Sequence, residues 1–286
     1  MTDIGDNPPP GVHSRLFTRR QFIAVGAAGA VAAAGFGAHA YHAESNRLKL
    51  EKLTIPLPGL RTPFTAAIVA DVHLPRSPLE PACILDELSR LKPAAVFFVG
   101  DGFNSAKNHL PPFAELVKSL PAPLGTFVTM GNWEHNSGAD LEVIARAVKG
   151  ARARMLCNEA AVIDVDGPVS IVGLDDWLAG RPDYTLAENA SHAAPLIVLS
   201  HCPVVFDTLS ASVNRGFVQL SGHTHGGQVV PFGIVFFTPP GSGEYVSGMY
   251  RKNRGTLYVT RGIGYTGLKM RLGAPPELTL ISFEPS

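Results

Sequence analysis

Two hydrophobic regimes alternate along this chain. Short unbroken apolar runs occupy residues 64–70, 94–99, 126–130, 196–200 and 217–220. Rich in β-branched and aromatic residues and bounded by Gly or Pro, they read as buried strands. Between them, residues 81–91, 112–120 and 139–148 carry apolar positions at helical spacing. Strand alternating with helix predicts an α/β first half. From 155 to 174 the pattern shifts to short strands around Asp164-Val165-Asp166-Gly167, a hairpin signal. Residues 226–283 read as strands and Gly/Pro-rich loops, with 257–260 and 278–281 the clearest. An α/β half followed by a β-rich half predicts a four-layer α/β/β/α sandwich of two mixed β-sheets flanked by helices.

The five runs end on a particular kind of residue. They lead into Asp71-Val72-His73, Gly100-Asp101, Gly131-Asn132, His201 and Gly222-His223-Thr224-His225. Open α/β sheets build their sites just beyond the carboxyl ends of strands. Singly, each motif is weak: Asp-x-His arises by chance, and a lone His at a strand end is usually a hydrogen-bonded structural residue. Together, two Asp, one Asn and four His at five strand ends predict a binuclear metal centre.

Composition narrows the reading. The 286 residues are 45% hydrophobic, enough for a large core, and one domain after a short leader is the natural count. With 24 basic and 24 acidic residues the chain is neutral, which gives no support for wrapping a nucleic-acid backbone. Three cysteines cannot all pair with one another, so no disulfide framework is implied. Cys83 and Cys157 read as packed thiols, and Cys202 as a neighbour of His201 that faces away from it.

The first 17 residues are polar and Pro-rich and read as disordered. Thr18-Arg19-Arg20-Gln21-Phe22-Ile23 and an uncharged Ala/Gly-rich run over 24–38 then resemble a twin-arginine export signal, with Ala38-His39-Ala40 as a cleavage site. The alternative is an uncleaved membrane anchor, although the apolar run is short for a span of roughly 20 residues. The expected division is therefore a leader over 1–45 and a catalytic domain over 46–286, exported by the twin-arginine machinery to the periplasm or cell envelope.

In their order and setting, the five motifs resemble the calcineurin-like metallophosphoesterases, over nearly all of residues 50–286. Ser200-His201-Cys202-Pro203, the stretch from Ser221 to Gln228, Tyr258-Val259-Thr260-Arg261-Gly262-Ile263-Gly264 and Gly273-Ala274-Pro275-Pro276-Glu277-Leu278 look like a bacterial branch exported by twin-arginine signals. The resemblance implies that Asp71, His73 and His225 hold one divalent ion, and Asn132, His201 and His223 a second. Asp101 would bridge both through its two oxygens. Imidazole, carboxylate and amide donors suit Mn, Fe or Zn. The implied reaction is hydrolysis of a phosphodiester or pyrophosphate, lipid-linked and nucleotide-sugar pyrophosphates of the UDP-diacylglucosamine type included, by a hydroxide held between the two ions.

One position departs from the pattern. The family usually has a histidine directly after Gly-Asn; here Trp133 stands there, and His135 follows two residues later. Indole cannot act as a proton donor near neutral pH. Three readings remain open: His135 takes over the task, the substrates have leaving groups that need no proton, or the protein is a catalytically silent metal-bound interaction module. Farther on, the apolar stretch 231–237 reads either as a buried strand or as a hydrophobic wall or membrane-facing lip for a lipid-bearing substrate. Arg261 reads as a phosphate contact or a surface ion pair, and Asn104 as a group that could orient a ligand.

Overall fold

The computed structural model describes residues 18–39 and 44–286. The expected disorder of residues 1–17 and the expected cleavage after Ala40 lie outside the described residues. The chain forms two units, Met1–His39 and Ala40–Ser286.

In the first unit, α1 spans Arg19–His39. Thr18 and Gln21 cap it reciprocally: the Gln21 N–H donates to Thr18 Oγ1 at 3.3 Å, and the Thr18 N–H donates to Gln21 Oε1 at 2.9 Å. Its 21 residues extend about 31 Å at 1.5 Å per residue. The sequence reading counted the apolar run from residue 24. The helix begins five residues earlier, and residues 19–38 are long and apolar enough to serve as a signal or to cross a membrane.

The second unit contains two six-stranded mixed sheets flanked by helices, as the alternating pattern predicted. The first sheet has the order β1 (Lys49–Leu57), β12 (Glu277–Pro285), β2 (Phe64–Val69), β3 (Ala95–Val99), β4 (Thr126–Thr129), β5 (Arg154–Met155). The second runs β10 (Gly248–Lys252), β11 (Gly255–Val259), β9 (Phe217–Ser221), β8 (Leu196–Leu199), β7 (Pro168–Gly173), β6 (Glu159–Asp164). β2, β3, β4 and β5 are parallel to one another, as are β7, β8, β9 and β11. β12 is antiparallel to β2, and β6 and β10 are antiparallel to their neighbours.

Strand alternation sorts the side chains into layers. Phe97 and Val99 of β3 join Ile68, Ile171, Ile197, Leu220 and Ile281 in the core between the sheets. Val96 and Phe98, one residue out of phase, face α2 (Pro81–Leu91), α3 (Ala106–Lys118) and α5 (Leu141–Gly150) through Ile84, Phe113 and Val148. Val198 and Leu257 on the outer face of the second sheet meet α6 (Thr185–Glu188) and α7 (Val205–Ser212) through Ala187 and Phe206. Because both faces are covered, the strands read as continuous apolar runs rather than as alternating ones.

Two expectations need correction, one strand was missed, and the two readings of 231–237 separate. α3 starts at Ala106 after Ser105, not at Pro112; Pro111 and Pro112 lie inside it. β1 escaped the sequence reading because Lys49, Glu51 and Lys52 break both an apolar run and a clean alternation, and Pro56 argues against a strand except at a sheet edge, which is where β1 lies. Residues 231–237 do not form a buried strand: Pro231–Gly233 is a single 3-10 turn, and Phe232, Phe236 and Phe237 are exposed. Cys83 is exposed rather than packed, while Cys202 is buried; all three thiols are free.

Candidate metal centre

The five strand ends converge at one edge of the sandwich. Asp71 and His73 follow β2, Asp101 follows β3, Asn132 opens α4 (Asn132–His135) after β4, and His201, His223 and His225 follow β8 and β9. Backbone bonds lock these turns to one another. The Asp71 and His73 N–H groups donate to Gly100 and Asp101 carbonyls at 3.1 and 3.0 Å, and the Gly222 N–H donates to His201 O at 3.2 Å. Asp71, His73, Asp101, His223 and His225 all have φ between 51° and 74°. Five left-handed non-glycine residues in one cluster cost about 1–3 kcal/mol each, strain of the kind that collects at functional sites.

Glycines let these turns close. A Cβ on Gly222 would lie 2.5 Å from Asp71 Oδ2, and one on Gly131 would lie 2.3 Å from Asp101 Oδ1. Glu134, fully buried on α4, ties the turns together: its carboxylate accepts the N–H groups of Asp101, Gly102 and Gly131 at 2.9, 2.6 and 2.9 Å. The sequence reading passed over Glu134. The visible signal was a lone acidic residue within Gly131-Asn132-Trp133-Glu134, which only the fold turns into a clamp.

The side chains form two triads, Asp71–His73–His225 and Asp101–His201–His223, each with donor atoms within 4.8 Å of one another. Asp101 Oδ2 stands between them, 3.1 Å from His201 Nε2 and 3.6 Å from His73 Nε2. Its Oδ1 accepts the Trp133 N–H at 2.9 Å. One oxygen rather than two therefore faces both triads. The Asn132 Oδ1 atom is buried and has no hydrogen-bond partner.

Outer contacts set the imidazole tautomers. His201 Nδ1 lies 3.0 Å from Val99 O and His223 Nε2 lies 2.7 Å from Pro240 O. Carbonyl oxygens only accept, so both outer nitrogens carry hydrogen, and the inner nitrogens are left facing each other at 3.2 Å. Either a proton on His201 or a metal ion fills the space between them. His73 Nδ1 is oriented similarly by Asn104 Oδ1 at 2.8 Å. His225 differs: its Nδ1 faces the donor Nη2 of fully buried Arg271 at 3.1 Å. Arg271 also donates to the carbonyls of Arg261, Gly264 and Ala274, bracing the β11–β12 connection behind the site.

The electrostatics of the bare side chains show the same deficit of positive charge. Burial pushes Asp71 up to about 7, opposed by His201 and reinforced by Asp101. Burial would raise Asp101 too, but His201, His73 and the Trp133 N–H hold it well below the usual carboxylate range. Burial opposes charge on His201, yet Asp101 and Asp71 raise it well above the ordinary imidazole value. Burial lowers His73 and His225 and takes His223 to about 4. Paired carboxylates, inward imidazole nitrogens and an orphaned amide oxygen fit a pair of divalent cations.

Comparison with known proteins agrees. The calcineurin-like phosphoesterase family model matches residues 64–227, which holds all seven candidate ligands. The chain belongs to the calcineurin-like phosphoesterase family. Among its relatives, the uncharacterized metallophosphoesterase YkuE of Bacillus subtilis is 30% identical over 94% of this chain and 99% of its own length. The phosphodiesterase YaeI of Escherichia coli is 28% identical over 93% of this chain and 99% of its own. A transmembrane protein with a metallophosphoesterase domain from Danio rerio is 29% identical over 82% of this chain and 55% of its own.

Within this calcineurin-like phosphoesterase the remaining candidates separate. Trp133 packs the edge of its indole against His73, centroids 5.4 Å apart and planes at 84°. His135 lies at the end of α4, three residues from Asn132, and its Nε2 pairs with Asp175 Oδ1 at 2.7 Å beyond β7. Sequence reading had missed Asp175. Arg261 is engaged by Glu277 at 2.7 Å and Glu51 at 3.4 Å, so its guanidinium serves an internal ion pair. Cys202 Sγ turns to Asp176 Oδ1 at 3.3 Å and belongs to neither triad.

Proposed function

We propose that the protein is a metal-dependent phosphoric ester hydrolase acting on phosphodiesters or pyrophosphates whose leaving group departs without a proton. The observation that carries the reading is the meeting of two triads over Asp101 Oδ2, together with a buried Asn132 Oδ1 that has no hydrogen-bond partner. Asp71, His73 and His225 would hold one ion, Asn132, His201 and His223 the other, and Asp101 would serve both. A divalent pair, of Mn, Fe or Zn, supplies Lewis acidity and an activated water when bound.

The chain's own residues do the rest. Asn104, Val99 O and Pro240 O aim three imidazoles inward, and Glu134 holds the Asp101 and Asn132 turns in register. Asp101 Oδ1 stays fixed on the Trp133 N–H. Trp133 stands directly after Gly131-Asn132, where the family resemblance implies a proton-donating histidine, so leaving groups such as phosphate or a nucleoside monophosphate are favoured over alkoxides. Lipid-linked and nucleotide-sugar pyrophosphates, including those of the UDP-diacylglucosamine type, have such leaving groups.

The test compares aryl phosphodiester, pyrophosphate and alkyl phosphate substrates in wild type and His135→Ala. The reading expects turnover of the first two and little of the third, unchanged by His135→Ala. If His135→Ala selectively slows poor leaving groups, His135 is the proton donor. No turnover of any ester by metal-loaded protein favours the silent binding module that Trp133 also suggests. Arg19 and Arg20 opening an apolar helix support export by the twin-arginine machinery to the cell envelope, with α1 retained as an anchor or removed.

A further inference from the structure

The most exposed apolar surface of the catalytic unit sits beside the metal centre. Phe232 is 92% exposed, Phe236 71% and Phe237 70%, with Ile234 and Val235 exposed between them. Across from this loop, Leu268 is 58% exposed and the next residue, Lys269, is exposed as well. The two loops line an open cavity of about 470 Å³ bordered by Phe236, Phe237, Val229, Thr266 and His225. The Gln228 side chain fastens them, donating to Thr266 O and Leu268 O at 3.0 and 2.9 Å.

We propose that this apolar lip docks the catalytic unit on a lipid bilayer, with Phe232, Phe236 and Phe237 entering the acyl region and Lys269 remaining among the headgroups. A soluble surface rarely keeps so many large apolar side chains adjacent. Phe232 stands at the tip of the 3-10 turn with φ of 58°, a left-handed conformation that is an outlier for an aromatic residue. The loop therefore projects outward at a local energetic cost. No Asp, Glu, Lys or Arg occurs between Arg215 and Glu244, so the lip carries no charge that lipid would have to desolvate. Lys269 at the rim supplies the cation that favours anionic headgroups. The same chain carries α1, long and apolar enough to cross a membrane. Docked in this way, the cavity leads from the acyl region to His225. A lipid phosphoester could then reach the metal centre without leaving the bilayer, a consequence that rests on the hydrolase reading.

Depth-resolved fluorescence of the full chain tests the docking itself. Phe232→Trp, Val25→Trp in α1 and Val162→Trp on β6 are each reconstituted with phosphatidylcholine–phosphatidylglycerol vesicles carrying brominated acyl chains, the wild-type emission being subtracted. The expected result is a blue shift of Phe232→Trp and quenching several-fold stronger than for Val162→Trp. Quenched Val25→Trp with unquenched Phe232→Trp would place the chain on the bilayer and the lip off it, overturning the proposal. Failure of the protein to float with vesicles also overturns it. So does a lipid-free dimer abolished by Phe232→Ser with Phe236→Ser, which would make the lip's occupant a second copy of the chain. None of these readouts involves hydrolysis, so the docking and hydrolase readings can fail separately.

Discussion

His201 Nε2 and His223 Nδ1 face each other at 3.2 Å while their outer nitrogens are committed to Val99 O and Pro240 O. Neither ring can turn its inner nitrogen away without abandoning a buried carbonyl. A bound metal ion takes the place of the proton held there and draws in the surrounding carboxylates as well, so metal addition should stabilise the fold. At a hundredfold excess over its dissociation constant, an ion that binds only the native state adds about 2.7 kcal/mol. The melting temperature of chelator-treated protein should rise on adding Mn or Zn and should rise less in His223→Ala. An unchanged melting temperature would count against the centre.

Glu134→Gln keeps the size of the side chain but replaces one acceptor oxygen with a donor that meets a backbone N–H. The cost should be about 2 kcal/mol, the scale for a hydrogen bond to a buried charged group. Urea unfolding would measure it, and metal affinity should fall with it, because the Asp101 and Gly131 turns lose their clamp. A variant as stable as wild type would mean that the clamp is dispensable.

Gly222→Ala separates close approach from backbone freedom. The added methyl would sit 2.5 Å from Asp71 Oδ2, whereas a Cβ on Gly150 meets nothing within 4 Å. Gly222→Ala should weaken metal binding by about tenfold or more, and Gly150→Ala should leave it unchanged. Equal affinities in the two variants would deny the crowding around Asp71.

The sequence was legible where both the pattern and the chemistry were local. β2, β3, β4, β8 and β9 appear as short apolar runs because the sandwich covers both faces of their sheets. The side chains that follow them are recognisable by type and order. What stayed hidden depends on contacts far apart in the chain. Glu134 reaches residues 32 and 33 positions away, Arg271 reaches His225 across 46, and Asp175 meets His135 across 40. The left-handed backbone at Asp71 and His225 has no sequence signature, since glycine is absent where φ would have announced it. The exposed 231–237 loop left two readings open because hydrophobicity alone cannot tell a buried strand from a surface lip.

The His135–Asp175 pair gives stability a pH signature. Its hydrogen bond to Asp175 raises His135, although burial opposes this. Burial would raise Asp175, but the bonds from His135 and the Arg181 and Asp176 N–H groups hold it at about 2. A raised imidazole stabilises fully below its unfolded value, about 6.5, and that contribution is lost as pH climbs through the folded value. A lowered carboxyl stabilises above its unfolded value, about 3.9, and its contribution is lost as pH falls toward 2. The melting-temperature gap between wild type and Asp175→Asn should therefore be widest near pH 5–6 and narrow by pH 9. A gap independent of pH would show that the pair is not ionised.

Counting ions on the intact protein tests the central claim most directly. Native mass spectrometry of the full chain loaded with Mn or Zn should find two ions per chain in wild type and fewer in Asp101→Ala, whose carboxylate faces both triads. One ion or none in wild type, or two retained after the loss of Asp101, would contradict the paired centre.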